Sequence, residues 1–271
     1  MKIFQYSNLT IGTILFVLIL FAIFIGPLCT PYAPSEPDWS AVSQAPTAAH
    51  VLGTDEFGRD VLTRVLYGGR ITFLVALAAK IMNTIIGVCL GLMGAYFGGK
   101  IDDLVNGVVN LLLALPPLIL GIAVLVVMGS GTLNVILVIG VTYWSYTCRL
   151  TRSRALSVKE SAFVESARAV GAGTTRILWK HLLPNCLGPI LVVATLGLAD
   201  TILLLATFGF LGLGITPPTP EWGTMLSEGR NYLHSAPWVT IAPGFAIFVT
   251  VLAVNLLGDG LRDAIDPYLQ R

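Results

Sequence analysis

The sequence predicts an all-α membrane protein of six transmembrane helices with one long charged loop, on three observations. Hydrophobic residues make up 55% of the 271-residue chain and charged residues 11%, less than half the roughly one quarter that a soluble domain uses to coat its surface. Six apolar stretches are long enough, at about 1.5 Å rise per residue, to cross about 30 Å of hydrocarbon. The remaining charges gather in a few places, and a net charge of +1 leaves no overall field pointing toward nucleic acid.

The elements follow in order. After a tail at 1–8, Leu9–Cys29 is 21 residues without a charge; it exceeds the roughly 7 to 15 residues of a signal core and lacks an A-x-A cleavage pattern, so it reads as a retained anchor. Residues 30–70 form an aqueous segment rich in Pro and Ser, with helix-like spacing near Val61–Leu66. A core domain over 71–258 carries the spans Ile71–Phe97, Leu104–Met128, Leu133–Thr147, Leu187–Gly214 and Trp238–Leu257. The fourth of the six spans is short and extends into "CRLTRS"; residues 259–271 form a C-terminal tail. Between spans, "GGKIDD", "GSGT" and "TPPTPEWG" are turn punctuation.

Six crossings put both termini on one side. That side collects Lys2, Lys100, the seven Lys and Arg residues from Arg149 to Lys180, Arg262 and Arg271, which is eleven of sixteen basic residues. The opposite side holds Arg59, Arg64, Arg70 and Arg230, and Lys80 lies within a span. The positive-inside rule therefore predicts cytoplasmic termini, a cytoplasmic loop 149–186 and an external 30–70 segment.

The loop contains "VKESAFVESARAVGAGTTRILWKHLLP", Val158 to Pro184. Ser157 and Glu160 fit a capping box and predict a helix start there. Phe163, Ala167 and Val170 recur at helical spacing as a narrow apolar stripe flanked by Lys159, Glu165 and Arg168. Gly171 and Gly173 bracket a break, and a second helix, Thr174–Leu183, should end before Pro184. The pattern fits an amphipathic hairpin in the headgroup layer as well as it fits two short helices projecting into a groove of a cytoplasmic partner.

Other candidates are weighed by position. Lys80 and Asp200 lie within spans, where an unpaired charge costs at least 2.5 to 3.5 kcal/mol, so each should face a partner, water or a pathway. Gly53, Asp55, Gly58, Arg59 and Asp60 form an external motif whose charges should pair with one another in an amphipathic helix. Trp144, Tyr143 and Tyr146 read as an aromatic belt at the cytoplasmic end of the fourth span. "GAYFGGKI" has phosphate-loop spacing but follows an apolar helix and supplies Ile101 where Ser or Thr is needed. His50, His181 and His234 are too scattered for a metal site, and the four single cysteines read as free thiols.

"ESARAVGAGTTRILWKHLLP" resembles the internal-loop signature of ABC importer permeases, with Glu165, Ala167, Gly171, Leu183 and Pro184 matching. Ser166 stands where that signature has alanine and His181 where it has an aliphatic residue. "GTDEFGRDVLTRVLYGGR", "FLGLGITPPTPEWGTMLSEGR" and "NLLGDGLRDAIDP" resemble the dipeptide, oligopeptide and nickel branch, second-subunit type. The resemblance implies a type I importer fold whose coupling residues are Phe163, Glu165, Ser166, Ala167, Arg168, Gly171, Ala172 and Gly173. It implies as partners a homologous permease, two ATP-binding cassette subunits and an extracytoplasmic binding protein, in a bacterial cytoplasmic membrane. ATP and magnesium would sit on the partner subunits, with no cofactor or catalysis on this chain, and the substrate would be a peptide or a nickel complex. The alternative from the residues is an ion-coupled carrier or channel using Lys80 and Asp200 as a relay.

Overall fold

The computed structural model describes residues 7–265, so Lys2, Arg271 and the Asp266–Pro267 end of the last motif lie outside the described residues. Among the described residues the regular structure is helical, with one isolated β-bridge between Thr54 and Asp60. The helices are α1 (Ser7–Cys29), α2 (Val61–Phe97), α3 (Gly99–Ala114), α4 (Pro117–Met128), α5 (Thr132–Thr142), α6 (Trp144–Lys159), α7 (Ala162–Ala169), α8 (Thr174–Ile177), α9 (Leu183–Phe210), α10 (Trp222–Gly229) and α11 (Trp238–Ile265).

Contacts at the helix ends sort the bundle into two layers. One layer joins the start of α2, α10 and the start of α11, where Trp222 Nε1 donates to Val65 O at 2.8 Å and Trp238 Nε1 to Thr54 O at 3.0 Å. The Gly129–Gly131 turn belongs here too, because Gly131 N donates to Gly214 O at 3.1 Å. The other layer joins the end of α2 to α6, α7 and α8. Four helical runs, 7–29, 61–97, 174–210 and 238–265, are each long and apolar enough to cross a membrane.

The remaining passages are broken, which corrects the expected third and fourth spans. Leu104–Met128 is two helices bent by 93°, because Pro116 and Pro117 follow Leu115 and force it into extended backbone (φ −91°, ψ 135°). The fourth passage is α5 and α6 meeting at Tyr143, and it runs on to Lys159 well beyond Thr147. Trp144 and Tyr143 therefore lie inside the bundle and not in an interfacial belt; Trp144 is buried beside Val105, Val109 and Cys148.

Four helix ends also differ from expectation. The second span begins at Val61 and not at Ile71, since Asp60 caps it by accepting from Thr63 N at 2.7 Å. "SVKE" starts no helix: Ala155 and Val158 are buried, so α6 continues through it and ends at Lys159, with Glu160 as its cap. Pro184 ends no helix either. Leu178–Leu182 widens into a π turn, with Leu183 N donating to Leu178 O, and this takes up the missing proline N–H and the ring's clash one turn back. Residues 174–210 are thus one continuous run, and the last helix reaches Ile265.

The main core packs Phe73, Ala76 and Ala79 of α2 against Leu125, Ile139, Ile202 and Leu205. A smaller core at the far end gathers Leu92, Ala95, Ala155, Val164, Ile177 and Leu182. The first and last helices touch backbone to backbone: a methyl on Gly12 would lie 2.5 Å from Leu257 N, and one on Gly260 2.4 Å from Leu9 N. Gly12→Ala should therefore push α1 off α11 at a cost of about 1 to 3 kcal/mol. A thermal-unfolding scan of the purified protein should show a lower midpoint, and an unchanged midpoint would contradict this packing.

Candidate functional site

The elbow formed by α7 and α8 protrudes from the far layer yet is held firmly. Val164 is 0% exposed in the smaller core, worth about 1.5 to 3 kcal/mol for a fully buried aliphatic side chain. An exposed ion pair is worth about 0 to 1 kcal/mol, so the apolar anchor and not the surface charge sets the elbow's position. Of the expected stripe, Phe163 is 47% and Val170 86% exposed: it points outward, flanked by exposed Glu165, Ser166 and Arg168. Ser166 Oγ donates to Ala162 O at 2.8 Å, which absorbs the hydroxyl within its own helix. The His181 ring lies 6.2 Å from that of Phe163.

Gly171 makes the bend. Its φ is +84°, and no atom would lie within 4 Å of an added Cβ, so backbone conformation and not space demands glycine. Gly171 N donates to Arg168 O at 2.9 Å and Ala172 N to Ala167 O at 3.0 Å, the paired bonds of a Schellman stop. Gly173, with φ −71°, has ordinary backbone.

The elbow is tied to the end of α2, which the sequence reading missed. Lys159 Nζ donates to Ala95 O at 2.9 Å and Tyr96 O at 2.8 Å, satisfying carbonyls at the helix terminus. The Tyr96 ring faces Arg168 at 5.7 Å and Lys159 at 5.9 Å, and its hydroxyl donates to Thr174 Oγ1 at 3.2 Å. The one signal in the sequence was an aromatic residue at the end of an apolar run, which is indistinguishable from a membrane-interface tyrosine.

At the other end of α2 the motif of Gly53, Asp55, Gly58, Arg59 and Asp60, expected to be an external helix, is a clamp and not a helix. Asp55 is 2% exposed; it accepts from Arg59 Nε at 2.6 Å and from the backbone N–H of Phe57 and Arg59, and pairs with Arg64 at 3.3 Å. Arg64 also donates to Glu228 at 2.8 Å. Asp60 pairs with His50 at 3.0 Å and caps α2, so it does not pair with Arg59 as expected. Gly58 (φ +76°) brings the loop against Asp38 O, and Gly53 (φ +71°) makes the preceding turn. Burial pushes the Glu56 carboxyl above the usual range. The Glu221 carboxyl, buried at the start of α10, is likewise raised despite accepting from Gly223 N, Thr224 N and Thr72 Oγ1.

Lys80 and Asp200 are brought to one cavity of about 380 Å³, beside Asn83, Tyr143, Tyr146 and Thr147. Lys80 is nearly central in α2, and Asp200 is exposed on α9. Lys80 Nζ lies over Gly197, where a methyl would approach it to 2.3 Å, and its hydrogen bond to Asn83 Oδ1 is long at 3.4 Å. The three histidines are dispersed: His50 in the clamp, His181 at the elbow, His234 exposed beyond α10.

Residues 87–271 match the model of the family described as binding-protein-dependent transport system inner membrane component. The chain is 40% identical to a di/tripeptide transport system permease protein, DppC, of Pseudomonas aeruginosa, over 98% of this chain and 90% of that one. It is 43% identical to a dipeptide transport system permease protein of Alkalihalophilus pseudofirmus (93% and 83%) and 40% identical to a glutathione transport system permease protein of Pectobacterium atrosepticum (98% and 89%). Among solved structures, a chain of the inward-facing MetNI methionine ABC transporter aligns with a TM-score of 0.58 at 21% identity, over 74% of this chain and 96% of that one, which supports the fold.

The Tyr96 contacts generate a direct expectation. Two exposed cation–π contacts at about 0.5 to 1 kcal/mol each and one hydrogen bond of similar worth should be lost in Tyr96→Ala. Amide hydrogen exchange across 162–177 should then speed up about tenfold, with residues 61–90 unchanged; equal protection in both proteins would show that Tyr96 does not hold the elbow.

Proposed function

The chain belongs to the family of binding-protein-dependent transport system inner membrane components, and from that premise we propose how this permease of an ABC importer takes up short peptides. The peptide substrate rests on the relatives above, which are named for dipeptides, di/tripeptides and glutathione; no relative reported above is named for nickel. The permease pairs with a homologous permease so that the pathway runs between them. Two ATP-binding subunits dock beneath and carry the ATP and magnesium chemistry, while this chain contributes no catalysis of its own. An external binding protein delivers substrate to the opposite face.

The single observation that carries the mechanism is the elbow. It presents Phe163, Glu165, Arg168 and Val170 outward while Val164, Lys159 and Tyr96 fix it to the end of α2. A surface of that kind on a rigid mount suits a socket in a soluble subunit, whereas a hairpin lying in headgroups would need no such mount. The elbow lies on the cytoplasmic side, which the clustering of basic residues supports. Closure of the ATP-binding subunits displaces the elbow, and α2, roughly 55 Å long at 1.5 Å per residue, carries that displacement toward the external clamp. ATP binding thereby shifts the equilibrium between inward-open and outward-open states by its differential affinity for the two. Lys80 and Asp200 line the pathway, since an exposed carboxylate at that depth is untenable against lipid. An ion-coupled carrier would use those two charges but would leave the elbow idle.

Val170→Asp places a charge in the centre of the docking surface. In proteoliposomes containing all subunits, ATP-driven uptake of radiolabelled alanyl-alanine should fall more than tenfold, and the ATP-binding subunits should co-purify poorly. Full uptake with normal co-purification would remove the elbow from the coupling path, and uptake by this chain without ATP or partners would favour the carrier.

A further inference from the structure

Two opposite charges facing one low-dielectric cavity attract strongly and, if free, close on each other. Lys80 and Asp200 do not: no ion pair within 4.0 Å joins them, and the ammonium's hydrogen bond goes to Asn83 Oδ1 at 3.4 Å. The reason is visible in the packing. Gly197, nearly one turn before Asp200 on α9, lacks the side chain that would fill the site of the lysine head, so Lys80 Nζ rests on that backbone. Asp200, by contrast, is exposed and lines the same cavity. The two charges thus share one cavity without an ion pair between them.

The walls suit a small ligand with variable side chains. The cavity, about 380 Å³, falls within the usual 300 to 1,000 Å³ range of ligand pockets. It forms where the fourth passage is interrupted at Tyr143, and broken helices are where transporters commonly place substrate. Tyr143 and Tyr146 give broad faces that do not select one side chain, while Asn83 and Thr147 supply polar groups. A molecule with one ammonium and one carboxylate would satisfy both charges together and add no net charge at this depth.

We propose that Lys80 and Asp200 read the termini of a short peptide in transit, the carboxylate facing Lys80 and the ammonium facing Asp200. This rests on the peptide-importer function above and adds the requirement for free termini. Recognition of termini explains how one site passes many sequences, because every unmodified peptide carries both charges whatever its side chains.

The test uses the complete importer in proteoliposomes with ATP, comparing alanyl-alanine, N-acetyl-alanyl-alanine and alanyl-alanine amide. Each variant is expressed as a ratio to wild type for the same peptide, so selectivity of the binding protein cancels. Asp200→Asn should reduce alanyl-alanine uptake about tenfold but change the N-acetyl peptide less than twofold. Lys80→Met should reduce alanyl-alanine similarly and leave the amide within twofold. The double variant should reduce alanyl-alanine uptake at least as far as either single one, because both termini then go unread. Asp200→Glu, which keeps the charge, should retain the preference for a free amino terminus, separating a binding defect from a folding one. Equal ratios for all three peptides in each single variant, or a double variant that recovers alanyl-alanine uptake as a relieved ion pair would, overturns the assignment while wild-type uptake keeps the importer reading intact. Absence of ATP-driven alanyl-alanine uptake by the wild type would instead sink the peptide reading itself, and this assignment with it.

Discussion

Everything in this bundle depends on one rod, α2, being finished at both ends by groups outside itself. A long helix leaves four unpaired N–H groups at its start and four carbonyls at its end. Asp60 supplies an acceptor at the start and Lys159 supplies a donor at the end. Neither residue is a bystander: Asp60 is also bound to His50 in the clamp, and Lys159 stands one turn before the elbow. Each cap therefore joins the helix to the structure packed against that end. The same bonds that complete the helix connect the two layers of the bundle.

The two cores divide the work. The larger one fixes α2 against α9 and the paired short helices, while the smaller one, around Val164 and Ile177, fixes the elbow to the ends of α2 and α6. Between them lies the Lys80 and Asp200 cavity, where packing gives way to polar groups. Under the proposed coupling, a displacement of the elbow would pass through the close-packed smaller core before it reached this cavity. Dense interiors transmit strain of this kind because they have few voids to absorb it.

Much of this was legible in the sequence, and the failures have physical causes. The apolar runs marked the passages, and the exposed stripe of Phe163 and Val170 was visible as helical spacing. Helix ends were misplaced wherever a local signal met a tertiary contact. Ser157 and Glu160 look like a helix start, but burial of Val158 keeps the preceding helix intact. Pro184 looks like a stop, but a π turn absorbs it. Ile71 looked like the start of a span because charged Arg64 and Arg70 precede it; Arg64 is buried in the clamp with Asp55 and Glu228, partners not adjacent to it in sequence. Tyr96 showed only as an aromatic residue ending an apolar run and Glu228 only as part of a longer motif, because their roles arise from segments that meet only after folding.

The contact between Gly12 and the backbone of Leu256 and Leu257 has a bearing on how the protein is made. At roughly 5 to 20 residues per second, the ribosome finishes the last helix on the order of 10 to 50 s after the first. Through that interval the first helix has α2 to pack against, where Phe16 and Phe24 meet Phe73, but not the last helix, which it meets at Gly12. Assembly of this permease is therefore ordered in time, with the contact at Gly12 among the last that can form.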